Sequence, residues 1–321
     1  MIGMAGMTTP DEIRKRHGSM FAKRLITLVD EKSSKARLVE ECCAQGPVEW
    51  DAINRLRSRG VIEHVEVQGT TLIMEARLGE GEVRFGPASK DTGGQALKSV
   101  IVNDDKVETT WMGLAGASVG VGACLPQAEG VEKVEFLSDE EVGGARAVEL
   151  KLTTPLRRRL VIGIDDTDTK EKGATWVLGL RLAREIPYGI FLSHKIIQLN
   201  PNAPQKTTNC SSTAVSFAVL PGEKDRVVGW ARDFISDNTY SKETVMAVFE
   251  GLDVPPRLTK FGAEAKETIL STHDAEHAAD ANKVRLVEIT GSRGAIGALA
   301  AIGCVDLGLY SAGLPEDFRR T

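Results

Sequence analysis

The chain has 321 residues, 42% hydrophobic and 26% charged, with a formal net charge of −5 at neutral pH. That length leaves room for about two domains of ~150 residues, and the composition excludes a disordered or fibrous chain. The acidic balance excludes a protein coated in basic charge for duplex DNA, so nucleic acid could be held only by a local patch. Five scattered cysteines, Cys42, Cys43, Cys124, Cys210 and Cys304, form no C-x-x-C pair and exclude a zinc ribbon. No run reaches the ~18 uninterrupted apolar residues of a spanning helix, and the opening MIGMAGMTTPDEIRKR lacks the basic-then-apolar layout of a leader. A cytoplasmic protein without a membrane partner is expected.

The expected fold class is α+β in two domains: a mixed α/β N-terminal domain over 1–155 and an α/β domain over 156–321. Apolar positions recur at helical spacing over Glu12–Val29, Lys35–Cys43 and Trp50–Leu56, with a turn at Gln45-Gly46-Pro47. VIEHVEVQGTTLIMEARL then alternates around Gln68-Gly69, the pattern of a hairpin. Helix, helix, hairpin is a winged-helix-like order, with Arg55, Arg57 and Arg59 near its last helix. Three arginines two apart do not share a helical face, which favours a plain α+β core over a nucleic-acid reader. Gly113–Gly122 is rich in small residues and reads as close packing rather than a phosphate loop, because no Walker lysine follows. Asp104-Asp105 reads as a turn.

From Leu160 the pattern changes to strand, loop and helix. LVIGI is a buried strand, DDTDTKEKGAT a loop, and WVLGLRLAREI a helix. The strands FLSHKIIQL and TAVSFAVL follow, separated by NPNAPQKTTN. A helix from Lys224 to Ile235, an α-rich stretch to Ala281, the strand VRLVEI and the small-residue helix AIGALAAIG after TGSRG complete the order.

Asp165, Asp166 and Asp168 crowd three carboxylates at the end of a buried strand. Such crowding raises proton affinity unless a cation intervenes, and magnesium held by one or two carboxylates completes its shell with water and phosphate oxygens. A capped Asx turn is the alternative. In TGSRG, Gly291 and Gly294 permit tight turns before a helix N-terminus and Arg293 adds a forked cation, which suits phosphate as well as it suits capping. Lys206, Thr207, Thr208 and Asn209 sit on a proline-rigidified loop and could bind phosphate or a ribose hydroxyl. His273 and His277 are one helical turn apart but lack a third zinc ligand, so a solvated helix is expected.

GIDDTDTKEKGATWVLGL, IIQLNPNAPQKTTN, TAVSF and GSRGAIGALAAIG resemble, in the same order over about residues 161–303, the catalytic region of the archaeal agmatidine synthetases that modify the anticodon cytidine of an isoleucine tRNA. With AGASVGVGACLPQA ahead of them, the whole chain resembles the methanogenesis marker protein 11 family. The synthetase resemblance implies ATP and Mg2+ as cofactors, phosphorylation of a carbonyl oxygen, and displacement of the phosphate by an amine. It places Asp165, Asp166 and Asp168 at the metal and nucleotide site and Thr175 at the phosphoryl-transfer centre, flanked here by Ala174 and Trp176 where the synthetases carry cysteine and threonine. Lys206 and Arg293 would meet phosphate charge, Thr207 and Asn209 the nucleotide, and Gly291 and Gly294 the phosphate backbone. Catalysis would fall to Thr175, Asp166 and Lys206. The synthetases continue past the GALAA helix into an oligonucleotide-binding fold and a zinc module, whereas this sequence ends eighteen residues after Gly303. The first expectation is therefore a Mg-ATP-dependent phosphotransferase or carbonyl-activating synthetase linked to methanogenesis, with a small-molecule or protein acceptor. A tRNA-modifying enzyme is the alternative, with tRNA the less favoured partner, and a nucleotide-binding assembly factor is the third.

Overall fold

The computed structural model describes residues 7–114, 123–138 and 146–319. The chain divides into two compact units, Met1–Arg157 and Arg158–Thr321. Most of the small-residue segment Gly113–Gly122 lies outside the described residues.

The first unit runs β1 (Met7–Thr8), α1 (Pro10–His17), β2 (Ala22–Asp30), β3 (Lys35–Cys42), α2 (Gln45–Ser58), β4 (Ile62–Gln68), β5 (Thr71–Arg77), β6 (Gly79–Glu80), β7 (Gln95–Asn103), β8 (Lys106–Leu114), β9 (Lys133–Phe136) and β10 (Ala147–Pro155). These strands build a four-stranded sheet, β2-β3-β5-β4, and a six-stranded one, β1-β9-β10-β8-β7-β6. The two share a core that includes Leu25, Leu38, Leu72, Trp111, Phe136 and Leu150. The hairpin around Gln68-Gly69 forms as expected, and Asp104 sits in the β7–β8 turn with a left-handed φ of 53°.

The winged-helix-like reading is overturned. Ala22–Asp30 and Lys35–Cys42 are paired strands, not helices. In β3 the buried positions include Ala36, Leu38, Glu40 and Cys42, a period of two. Glu40 occupies a core position with a carboxylate, and that breaks the apolar alternation a strand normally displays.

Glu40 is tolerated because α2 delivers Arg55 to it. The guanidinium, 1% exposed, bonds Glu40, Asp51 at 2.9 Å and the Gln95 side-chain oxygen at 3.2 Å, and lies 4.9 Å from the Trp111 ring centre. Gln95 in turn donates to Asp51 at 2.6 Å. Burial, with Glu40 nearby, outweighs the attraction of Arg55 and pushes the Asp51 carboxyl up to about 6. Arg55→Ala would strand two buried carboxylates and is expected to cost about 3–5 kcal/mol in urea unfolding. Because folded Asp51 holds its proton more tightly than the unfolded chain does, its contribution to stability grows as pH falls from 7 through 6 toward 4. Asp51→Asn should flatten that part of the stability–pH curve, read as the difference between wild type and variant.

The second unit runs β11 (Arg158–Asp165), α3 (Thr175–Glu185), β12 (Ile190–Gln198), β13 (Ser211–Val219), α4 (Lys224–Asn238), β14 (Val245–Glu250), α5 (Pro256–Glu267), α6 (Thr272–Ala281), β15 (Arg285–Glu288) and α7 (Ala295–Cys304). The sheet order is β12-β13-β11-β14-β15, antiparallel at every pairing. Leu160, Ile162 and Ile164 face α3 and α4, while Val161 faces the α5, α6 and α7 layer. β14 was hidden in the expected α-rich stretch: Val245–Phe249 is buried on both faces and shows no alternation. Small residues bring α7 onto the central strand, for a Cβ at Gly163 would overlap the Ala298 carbonyl.

Candidate functional site

β11 ends on Asp165, and the loop that follows turns sharply because Asp166 adopts a left-handed φ of 56°. Aspartate is among the few side chains that accept this conformation. The segment before β14 fixes the loop. Thr244 Oγ1 donates to the Asp166 carbonyl at 2.6 Å, Thr239 Oγ1 donates to the Thr167 carbonyl at 3.2 Å, and the Tyr240 amide reaches the same carbonyl at 2.9 Å.

A cleft of about 710 Å³, counting space open to solvent, lies beside this loop. Asp165, Asp166, Asp168, Lys206, Thr207 and Arg293 all line it, drawn from three segments that the sequence reading had singled out separately. Leu199, Ala203, Ala265, Ile269, Leu270 and Ile296 form an apolar wall. The sequence reading missed that wall because its residues come from loop ends and helix ends with no shared period.

The three aspartates differ in their surroundings. Asp166 receives a forked pair of bonds from Arg293, 2.9 Å from Nε and 3.2 Å from Nη2. Asp168 accepts from Thr207 Oγ1 at 3.3 Å and is pushed upward by burial. The Asp165 carboxyl is raised well above the ordinary range, first by burial and then by the charge of Asp166. The expected three-carboxylate metal centre does not form: among the described residues no three His, Cys, Asp or Glu side chains group to hold a metal, since Arg293 occupies Asp166. Asp165 and Asp168 still fit a divalent cation by donor chemistry, being hard oxygen donors with too little positive charge beside them, and a magnesium shell needs only one or two protein carboxylates.

Other expected residues lie elsewhere. Thr175 is buried at the start of α3, where Thr167 Oγ1 donates to its hydroxyl at 3.1 Å, and it does not line the cleft. Asn209 is exposed outside it, with its carbonyl accepting from Gln198 Nε2 at 2.9 Å. Gly291 and Gly294 pack against the segment before β14: a Cβ at Gly294 would stand 2.8 Å from the Glu243 carbonyl and 2.9 Å from that of Asp165. The Gly294 amide donates to the Glu243 carbonyl at 3.0 Å and the Arg293 amide to the Glu243 carboxylate at 3.3 Å. A phosphate cradle made by these loop amides is thereby replaced by tight packing and an internal carboxylate. Lys206 lines the cleft while its ammonium bonds the Pro201 carbonyl. His273 and His277 are exposed on α6, where Asp274 caps the helix with Ser271.

Two further residues shape the site. Lys266, 2% exposed, donates at 2.9 Å to each of the Gln198, Ser311 and Gly313 carbonyls, and burial lowers its proton affinity. It ties β12 and the segment after α7 to the helix that carries Ala265. Gly297 in α7 leaves the space that the Asp165 carboxylate fills, since any Cβ there would overlap it. Gly297→Ala should displace Asp165 and cost about 1–3 kcal/mol in urea unfolding, with a loss of Mn2+ affinity measurable by titration.

Residues 161–231 match the family model described as the TiaS TCKD domain. A tRNA(Ile2) 2-agmatinylcytidine synthetase of Thermococcus sibiricus is 33% identical over 153 residues, 45% of this chain and 35% of the synthetase. Its counterpart from Pyrococcus horikoshii is 33% identical over 150 residues. The chain thus spans about a third of the length of these synthetases. A crystal structure of a TiaS-tRNA(Ile2)-ATP complex aligns with 46% of this chain and 36% of its own at 24% identity and a TM-score of 0.42. The uncharacterized protein MJ0921 of Methanocaldococcus jannaschii is 33% identical over 305 residues, 94% of this chain and 99% of the relative. The chain therefore belongs to the family of MJ0921, and its second unit carries a region matching the TiaS TCKD domain.

Proposed function

We propose that the Arg158–Thr321 unit binds ATP with a divalent cation and activates a carbonyl group for attack by a nucleophile. One observation carries the reading. A single cleft joins two poorly compensated carboxylates, a lysine, a threonine hydroxyl and an arginine on one side to an apolar wall on the other. Phosphoryl transfer asks a protein mostly for positioning and charge neutralisation. Asp165 and Asp168 would hold the cation, Lys206 and Arg293 would meet phosphate oxygens, and the wall of Leu199, Ala265 and Ile296 would receive a nucleobase. Bound there, ATP would supply a phosphoryl group that makes a carbonyl oxygen a good leaving group. Asp166 holds the Arg293 fork in place, and Thr207 orients Asp168.

The acceptor has two candidates. The tRNA(Ile2) 2-agmatinylcytidine synthetases similar to this unit favour an RNA base, so a tRNA-modifying enzyme is the stronger of the two. The resemblance of the whole chain to the methanogenesis marker protein 11 family supports a methanogenesis-linked metabolite or protein group. A nucleotide-binding assembly factor draws support from Thr175, which is buried and flanked by Ala174 and Trp176 where the synthetases carry cysteine and threonine.

Calorimetric titration is expected to give ATP binding that requires Mg2+, and Asp168→Asn should weaken it about tenfold or more. Equal binding with and without the cation would overturn the assignment. The RNA reading expects bulk archaeal tRNA to be retained at low salt, released as salt rises, and to stimulate ATP consumption. Retention indifferent to salt would leave the metabolite or protein acceptor.

A further inference from the structure

Outside the cleft, an aromatic ring stands in water on a firmly anchored backbone. Tyr240, in the segment between α4 and β14, is 58% exposed. Its amide donates to the Thr167 carbonyl at 2.9 Å, and the Thr239 hydroxyl reaches the same carbonyl at 3.2 Å. On the other flank Ser241 donates its amide to Thr239 Oγ1 at 3.2 Å and accepts at its carbonyl from Thr290 Oγ1 at 3.0 Å. The chain that carries the ring is thus ordered before any ligand arrives, which lowers the cost of binding one. Gly173 fixes what the ring adjoins. That residue has a left-handed φ of 87°, and a Cβ there would stand 2.9 Å from Tyr240 Cδ2 and 3.2 Å from Asp168 Cβ. A bare glycine therefore lets the ring lie next to Asp168, which lines the cleft. Lysines flank the ring in both segments. The Lys172 ammonium is 6.0 Å from the ring centre, Lys170 belongs to the same turn, and Lys242 follows just after Tyr240. All three are exposed, and among the described residues none forms an ion pair. They outnumber the acids beside them in sequence, Glu171 in the turn and Glu243, which accepts from the Arg293 amide.

We propose that Tyr240, with Lys172 and Lys242, is a stacking platform for an unpaired nucleobase of a single-stranded RNA, the lysines meeting the phosphates on either side. The inference rests on the RNA reading given above and gives it a surface outside the cleft. Exposed aromatic rings hold unpaired bases by stacking, and cations beside them follow the backbone. An acidic peptide would satisfy the lysines but make no use of the flat ring. The negative balance of the whole chain confines a polyanion to a local patch. This patch adjoins one of the carboxylates assigned to the cation, so a strand held on it lies beside the site of phosphoryl transfer.

The probe is a fluorescein-labelled single-stranded RNA of about ten nucleotides and mixed sequence, titrated with the full chain at low salt and followed by anisotropy. An abasic oligomer of the same length controls for charge alone. Wild type is expected to bind the RNA, Tyr240→Leu to bind it about tenfold more weakly, and Tyr240→Phe to stay within about twofold. Lys172→Gln combined with Lys242→Gln should weaken binding and make the fall of log affinity with log salt shallower by roughly one. The abasic oligomer should bind wild type no better than the RNA binds Tyr240→Leu. Because the ring is exposed, Tyr240→Leu should melt with wild type; were it to unfold, the lysine pair and the abasic oligomer carry the same test. Tyr240→Leu binding the RNA as tightly as wild type would overturn the proposal. So would equal affinity for RNA and abasic oligomer, a result that leaves a charged surface for an acidic partner. Wild type that retains tRNA but not the short strand would overturn the platform with the RNA reading intact. Wild type that retains neither would overturn both.

Discussion

A carboxylate buried at the end of a central strand sets the layout of the Arg158–Thr321 unit. Moving a charged group out of water is costly unless something nearby answers it. Asp165 is answered in part by the Asp166 amide and the charge of Arg293, with its carboxylate lying against the first turn of α7. Reaching that position requires a helix that can lie almost on the strand. α7 meets the requirement by being built of Ala, Gly and Ile, with Gly297 opposite the carboxylate and Ala298 opposite Gly163. The same economy of side chains continues outward, where Gly303 and Gly262 let α5 close on α7. A functional charge at one point thus dictates small residues along an entire layer.

The second constraint is the sharing of positive charge among carboxylates. Arg293 serves Asp166 with its guanidinium and Glu243 with its backbone amide, so the loop before α7 is anchored to two acidic groups from different segments. Thr244, whose hydroxyl donates to the Asp166 carbonyl, also donates its amide to Thr290 Oγ1. Hydrogen bonds therefore tie together the loop after β11, the segment before β14 and the loop before α7. What they leave uncompensated is the pair Asp165 and Asp168, and that residual negative charge gives the cleft its chemical character.

Much of this unit was legible in the sequence. LVIGI followed by three aspartates, a polar loop between two prolines, and a glycine-rich turn before a small-residue helix each carry a local signal, and all three meet at the cleft. Period and punctuation could not reveal what depends on tertiary packing. Val245–Phe249 is buried on both faces and so lacks the alternation that marks a strand. Gly291 and Gly294 signal close approach, but the sequence does not say whether a phosphate or the protein's own backbone is approached, and Glu243 decides for the latter. Thr175 was placed by resemblance to a motif, and its buried hydroxyl accepts from Thr167 and bonds the Asp168 carboxylate. Gly297 acts through a neighbour fixed only by helix packing, for which a single sequence carries no mark.

The first unit shows how a misleading local pattern arises from a consistent global one. In α2 the buried face carries Asp51, Asn54, Arg55 and Ser58, while Trp50 and Ile53 are 56% and 52% exposed. A reader of amphipathicity would therefore turn the helix the wrong way round. The inversion follows from Glu40: once a strand places a carboxylate in the core, the facing helix must bring a cation, and the cation must bring Asp51 and Gln95 to satisfy its remaining donors. Arg55 is thereby withdrawn from any role as a basic contact for nucleic acid. Arg57 and Arg59, the other two members of the spaced trio, cannot form a basic face without it. α2 thus exposes the apolar side chains Trp50, Ile53 and Leu56 and keeps the Arg55 guanidinium inside.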